Sequence, residues 1–354
     1  MIPLYKPYMP GKLPKLELIL HSGELSYGKW GHEFEKRLND YIGFKNILVT
    51  NSFNSAMLVV LTTLGISQGD EIIASPMSCL ASNQPFTCLG IKVVWADIDP
   101  STGTLNPDNV SCKISSKTKA IFHNHHCGYL GYIDEINAIA RNNGLYVIDD
   151  AIEAFGSVYK GNKIGNVGSD VSVFSFQTVR LPNSIDGGAV HFKDPIFTEK
   201  AKRVRDYGID RNKFRNYLGE ISKTNDIFDS GYGATLNEIN SYIGCLQLDQ
   251  IDELLFKQRN NALAWEVFLK KNDLKVEILS KAYQTPNYWI YGILTPNKTD
   301  TIKYFRTKGY YASGVHLPNN YYSVFGSKSE LLGVNDFYSK FVALPCGWWF
   351  SLND

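Results

Sequence analysis

The sequence nowhere assembles the ~20 consecutive apolar residues that span a bilayer, and its first residues, "MIPLYKPYMPGK", have no hydrophobic signal core. Together these predict a cytoplasmic protein. CxxC spacing is also missing. The six cysteines (Cys79, Cys88, Cys112, Cys127, Cys245, Cys346) are scattered, which predicts free thiols and no structural metal site. Nor does one sign of charge dominate: 36 Lys+Arg face 35 Asp+Glu, net +1, which gives no reason to expect nucleic acid or an anionic membrane as a partner. Low-complexity stretches and internal repeats are absent. What the 354 residues do supply is 44% hydrophobic and 20% charged side chains, enough to bury a sizeable core.

From about residue 46 to 192, short apolar runs alternate with helical patterns. "NILVT" (46–50), "EIIAS" (71–75), "KVVWADI" (92–98), "KAIFHNH" (119–125), "LYVIDDA" (145–151), "VSVFSF" (171–176) and "GGAVHF" (187–192) read as buried strands. "NSAMLVVLTTLGI" and "YIDEINAIARNNG" read as helices, the second capped by Gly144. Strand–helix–strand order predicts an α/β fold with a mainly parallel sheet covered by helices on both faces. Ligands on such sheets bind at the carboxyl ends of the strands, which directs attention to residues 50–54, 76–82, 123–128, 149–153 and 175–180. A long helix is expected over about 236–269. The chain is expected to divide into a large α/β domain, 1–240, and a part (241–354) that holds the long helix and a small α+β domain. The aromatic stretches "NYWIYGIL" and "GWWF" read most simply as core of that smaller domain.

Five segments in register carry a resemblance: "SGELSYGKWGHEFEKRLNDYIG", "GDEIIASPMSCLAS", "DIDPSTGTLNPDNV", "VIDDAIEAFGSVYKGNKIGNVGSDVSVFSF" and "GYGATLNEINSYIGCLQL". In order and spacing they resemble the DegT/StrS family of nucleotide-sugar aminotransferases, pyridoxal-phosphate (PLP) proteins of fold type I. The resemblance implies that Asp150 stands where the family pairs an aspartate with the pyridine nitrogen, and Ser175 where a serine holds the phosphate. It also implies departures. The lysine that makes the internal aldimine falls on Arg180, and the Gly-Thr phosphate cradle falls on Phe53 and Asn54. The ring-stacking aromatic falls on Cys79, and the Asn and Arg near the dimer interface fall on Gly233 and Thr235. Around Asp150, Asp149 replaces the usual Glu and Glu153 the usual Gln. The chain stops about where the family begins its last helix, with Ser351 or Asn353 as an N-cap for it.

Arg180 cannot replace lysine in imine chemistry, because a guanidinium stays protonated. Lysine-dependent transamination and covalently held PLP are therefore not expected, while non-covalent PLP or its amine form, pyridoxamine phosphate (PMP), stays open. Three readings follow. One is an enzyme of deoxysugar or surface-polysaccharide biosynthesis acting without an internal aldimine, with Glu153, His125 and Asp150 as acid/base candidates and Arg180 as an anion clamp. A second is a catalytically silent relative that binds a ligand or partner subunit, its pocket collapsed on an Arg180–Asp150 or Arg180–Glu153 pair. The third is a PMP-dependent sugar 3-dehydratase, which requires Phe53 to turn away and Asn54 to meet a phosphate. Alternation along "FHNHHCG" sets His123 and His125 on one face and His126 on the other. The expected partners are a nucleotide sugar and a second copy of the chain.

Overall fold

The computed structural model describes residues 1–279, 284–326 and 328–352; the proposed cap Asn353 lies outside them. Seven strands form the main sheet: β1 (Leu48–Thr50), β2 (Glu71–Ala74), β3 (Lys92–Trp95), β4 (Thr118–Asn124), β5 (Tyr146–Asp150), β6 (Val171–Ser175) and β7 (Gly188–Phe192). Their order is β1-β7-β6-β5-β4-β2-β3. β7 runs antiparallel to both neighbours, and the pairs β6–β5, β5–β4, β4–β2 and β2–β3 are parallel. The mainly parallel α/β sheet expected from the strand–helix alternation is thus the one observed. Apart from Lys92 and Val94 in β3 and two positions at the starts of β4 and β5, these strands are buried along their length. That explains why they read as continuous apolar runs and not as alternating ones.

Helices α1 (Lys29–Ile42), α2 (Phe53–Leu64), α3 (Leu80–Cys88), α4 (Ile133–Asn143) and α5 (Pro195–Val204) cover the sheet. α2 starts where Ser52 Oγ accepts the Ser55 amide and ends on left-handed Gly65; α4 ends on left-handed Gly144, as its sequence predicts. Gly188 is required at the start of β7, because a Cβ there would lie 2.8 Å from the Ser52 carbonyl oxygen and 3.0 Å from Phe53 Cα.

The long helix expected over 236–269 is two helices, α6 (Glu238–Leu248) and α7 (Ile251–Lys271). No Gly or Pro announces the break. α6 lies so close on α1 that a Cβ at Gly244 would meet the Phe34 ring at 2.4 Å, and Asp249, at its end, takes Arg37 Nη1 at 2.7 Å. α7 then restarts with Asp252 and Glu253 in its first turn, favourably placed at a helix N-terminus. It turns Leu254, Leu255 and Trp265 into the core. A three-stranded antiparallel sheet, β8 (Glu277–Ile278), β9 (Tyr291–Leu294) and β10 (Phe341–Leu344), belongs to the C-terminal part. Among the described residues no helix is long and apolar enough to cross a membrane.

Candidate functional site

Parallel register brings the ends of β4, β5 and β6 together: His123 lies opposite Asp149, Asn124 opposite Asp150, and Val173 opposite Asp150. Just beyond these ends the chain makes tight turns. Cys127 takes a left-handed conformation (φ +55°) and is followed by Gly128 at φ +92°. This turn aims the Cys127 amide at Glu153, whose Oε2 accepts it at 2.7 Å.

Glu153 is the hub. Its Oε1 accepts from His316 Nε2 at 3.0 Å and from Arg180 Nη1 at 3.3 Å, and both Glu153 and Arg180 are buried. Burial alone would raise the carboxyl's pKa. His316 and then Arg180 outweigh it and hold Glu153 at about 2. The Arg180 guanidinium carbon sits 4.5 Å from the centre of the Trp289 ring, and Tyr5 stacks on the same indole with centroids 4.5 Å apart and planes 16° off parallel. Trp289 Nε1 donates to the Val179 carbonyl at 2.9 Å.

Tyr5 arrives on a strap formed by residues 2–8. Its start is fixed by Ile2, which donates to the Gly309 carbonyl and accepts from the Tyr311 amide. Its end is fixed by the Tyr8 carbonyl, which accepts from Asn183 and Gln247.

Asp150 lies beside this assembly without an ion-pair partner among the described residues. Its carboxylate accepts the Ile152 amide at 3.4 Å. Burial, reinforced by the Glu153 charge, pushes its pKa up to about 6 against the weaker pull of Ser82, Ile152 and Arg180. The sign is opposite to that of a salt-bridged carboxylate: the fold favours protonated Asp150, so its contribution is complete below pH ~4 and is lost as pH rises through about 6. Asp150→Asn should therefore flatten the fall in stability between pH 4 and 7 and raise stability at pH 8 by on the order of 2 kcal/mol. Urea unfolding across that range checks this; an unchanged pH profile would mean that Asp150 has a hidden cationic partner.

Of the other residues singled out from the sequence, Ser175 is buried and accepts the Gln177 amide at 3.4 Å. Phe53, the first residue of α2, turns into the core while Asn54 faces solvent. Cys79 is half-buried, its thiol raised by burial. His125 is not brought to Glu153. With His123 it faces Asp149, each 3.4 Å from Oδ1, while Ser169 donates to Oδ2 at 2.8 Å. The histidine on the Glu153 side is His126, fully buried, its Nε2 3.5 Å from Cys127 Sγ and its pKa lowered by burial to about 4.

Sequence reading missed His316, Tyr5 and the role of Trp289. His316 lies in an irregular stretch and Tyr5 near the start of the chain, and neither has a motif. The run of aromatics around Trp289 was the one available signal.

Among the described residues, two clusters bring metal-type donor atoms within 4.8 Å of one another: His123, His125 and Asp149, and Cys127, Glu153 and His316. In the first, His125 Nδ1 accepts the Gly131 amide, which leaves Nε2 as a proton donor towards Asp149 and not as a lone pair for a cation. In the second, the Arg180 guanidinium occupies the Glu153 oxygen that a cation would need.

The same geometry tests a pyridoxal cofactor. A cavity shaped for a ring would leave its lining open to water when empty, yet Asp150, Ser175 and Arg180 expose 2%, 4% and 6% of their surface. The side chains here do not fit a covalently held cofactor. Arg180 offers no imine-forming amine, and Tyr5 and Trp289 are packed beside it.

The DegT/DnrJ/EryC1/StrS aminotransferase family matches residues 11–354. An uncharacterised protein of Methanocaldococcus jannaschii is 34% identical over 68% of this chain and 62% of its own length. GDP-perosamine synthase of Caulobacter vibrioides is 33% identical over the same shares. The spore coat polysaccharide biosynthesis protein SpsC of Bacillus subtilis is 28% identical over 78% and 66%. The matches thus span somewhat less than two thirds of these relatives' lengths. Among solved structures, sugar aminotransferase CalS13 from Micromonospora echinospora superposes with a TM-score of 0.91 at 26% identity, covering 100% of this chain and 97% of that one. AtS13 from Actinomadura melliaura gives 0.91 at 28%, covering 100% and 96%. They share the fold-type-I aminotransferase architecture with this chain.

Proposed function

The chain belongs to the DegT/DnrJ/EryC1/StrS aminotransferase family, and from that premise we propose that it is a diverged member serving deoxysugar or surface-polysaccharide biosynthesis. It binds or acts on a nucleotide sugar or related metabolite without an internal aldimine. The observation that carries this reading is Arg180: a buried guanidinium at the position assigned to the lysine, held by Glu153 and covered by Trp289. This is the collapsed pocket that a binding, catalytically silent relative requires. Family relationship to polysaccharide-pathway proteins, in particular the perosamine synthase and the spore coat protein, supports the sugar-nucleotide class.

Within the site, Glu153 is held ionised by three donors and serves as an anchor. Asp150, with a pKa near 6, is the group poised to exchange a proton near neutrality. His125 is committed to Asp149 and acts on the site only through the sheet. A homodimer in the cytoplasm fits the reading, with Tyr207, Tyr217 and Phe228 exposed on the segment before Gly231–Leu248.

Titration with PLP and with PMP, each followed by absorbance and melting temperature, tests the proposal. A ligand bound only by the folded state at 100 times its Kd adds about 2.7 kcal/mol, a readily measured rise. The expected result is neither a borohydride-sensitive imine band nor a rise in Tm with PLP, alongside stabilisation by at least one of a panel of UDP-, GDP- and dTDP-sugars. An imine band overturns the proposal. A rise with PMP alone transfers the chain to the dehydratase-type reading, which the inward-turned Phe53 and exposed Asn54 would then serve.

A further inference from the structure

Beside the Arg180–Glu153 pair lies a slot lined from three parts of the chain: Arg180 with Trp289, the strap through Tyr5 and Lys6, and a wall of Trp348 and Trp349. That wall is rigid: Asn261 of α7 donates to the carbonyls of Gly347 and Phe350, and Trp265 donates to that of Pro345. Val179, Leu181 and Gln258 complete the lining, so the slot holds two cationic side chains and no carboxylate.

Two donors of its lining residues have no partner among the described residues. Arg180 Nε and Trp349 Nε1 are both inaccessible to solvent and make no hydrogen bond, although a buried unsatisfied donor typically costs about 1–3 kcal/mol. Lys6, the second cation of the slot, has its Nζ 5.6 Å from the Trp348 ring centre and forms no ion pair among the described residues. The slot, about 10 Å³, has room for roughly one water-sized group.

The geometry points to an oxyanion subsite: one oxygen of a carboxylate or phosphate enters the slot between Arg180 Nε, Trp349 Nε1 and Lys6, and the rest of the ligand lies outside, between strap and rigid wall. This accounts for donors that no acceptor among the described residues satisfies, and for an arginine that uses only Nη1 on Glu153. It deepens the proposed function, since it rests on a pocket that has left imine chemistry, and it specifies the ligand as acidic at this end. Between its hydrogen-bonded ends the strap is held by buried Leu4 and by the stacking of Tyr5 on Trp289.

The test uses the full chain at constant ionic strength, so that screening is the same throughout, and two probes, sodium acetate and sodium pyrophosphate. Intrinsic fluorescence reports directly, since Trp289, Trp348 and Trp349 all line the slot. A saturable change is expected, with Lys6→Met weakening the apparent Kd about tenfold, as loss of a charge-assisted bond implies. Trp349→Phe, which keeps the ring and removes the N–H, should weaken it severalfold. Lys6 is exposed, so its variant folds independently of the outcome. A response to acetate assigns the slot to a carboxylate, and a response confined to pyrophosphate assigns it to a phosphate. No saturable response, or one that both variants leave unchanged, overturns the inference. The outcomes separate from those of the proposed function: an imine band with PLP alongside an intact oxyanion response removes that reading and keeps the slot. Nucleotide-sugar stabilisation with no oxyanion response does the reverse.

Discussion

Glu153→Ala should lower the unfolding free energy by about 3–5 kcal/mol, the range for removing one partner of a buried ion pair. The substitution strands three donors at once: Arg180 Nη1, His316 Nε2 and the Cys127 amide. The amide has least freedom to find another acceptor, because Cys127 is held left-handed between His126 and Gly128. Glu153→Gln keeps an oxygen acceptor and should fall between wild type and Ala. The double variant Glu153→Met, Arg180→Met should recover much of the loss, since an apolar pair carries no stranded charge. Wild type should also lose stability as pH falls from ~4.3, the carboxyl's unfolded value, towards its folded value of about 2, and Glu153→Gln should remove that limb. If Glu153→Ala unfolds within ~1 kcal/mol of wild type, the network is not what closes the pocket.

Trp289→Ala is expected to cost about 3–5 kcal/mol as a buried large-to-small change, and its second effect is more diagnostic. The indole is the surface on which both Tyr5 and Arg180 lie, so its removal detaches the middle of the strap. Amide exchange of Leu4, Tyr5 and Lys6 should rise towards that of an open loop. Trp289→Phe retains a face for stacking and should leave the strap protected. Should exchange of the strap stay slow in the alanine variant, its hydrogen-bonded ends alone hold it, and the stack adds packing without closing anything.

Much of this architecture was legible because buried parallel strands are local features. "VSVFSF" and "KAIFHNH" announce themselves within a few residues, and Gly144 caps its helix by a requirement of its own backbone. The residues around Asp150 were legible for the same reason, since they lie at strand ends. His123, His125 and His126 show where such reasoning stops. Alternation separates them by face, as found, but which face looks into the site depends on β4 pairing with β5 so that His123 lies opposite Asp149. The break between α6 and α7 was hidden because no Gly or Pro stands at it. Tyr5 and His316 were beyond reach. Tyr5 meets Trp289 and His316 meets Glu153 only after the chain has folded back over more than a hundred residues, and no local spacing encodes that.

The strap is also made first and seated last. Ile2 is held by Gly309 and Tyr311, and Lys6 and Tyr8 rest on Trp348, so its docking sites leave the ribosome some 300 residues after it does. At ~5–20 residues per second that is a delay of roughly 15–60 s. Throughout that interval the sheet ends bearing Asp150, Glu153 and Arg180 can be complete while nothing covers them.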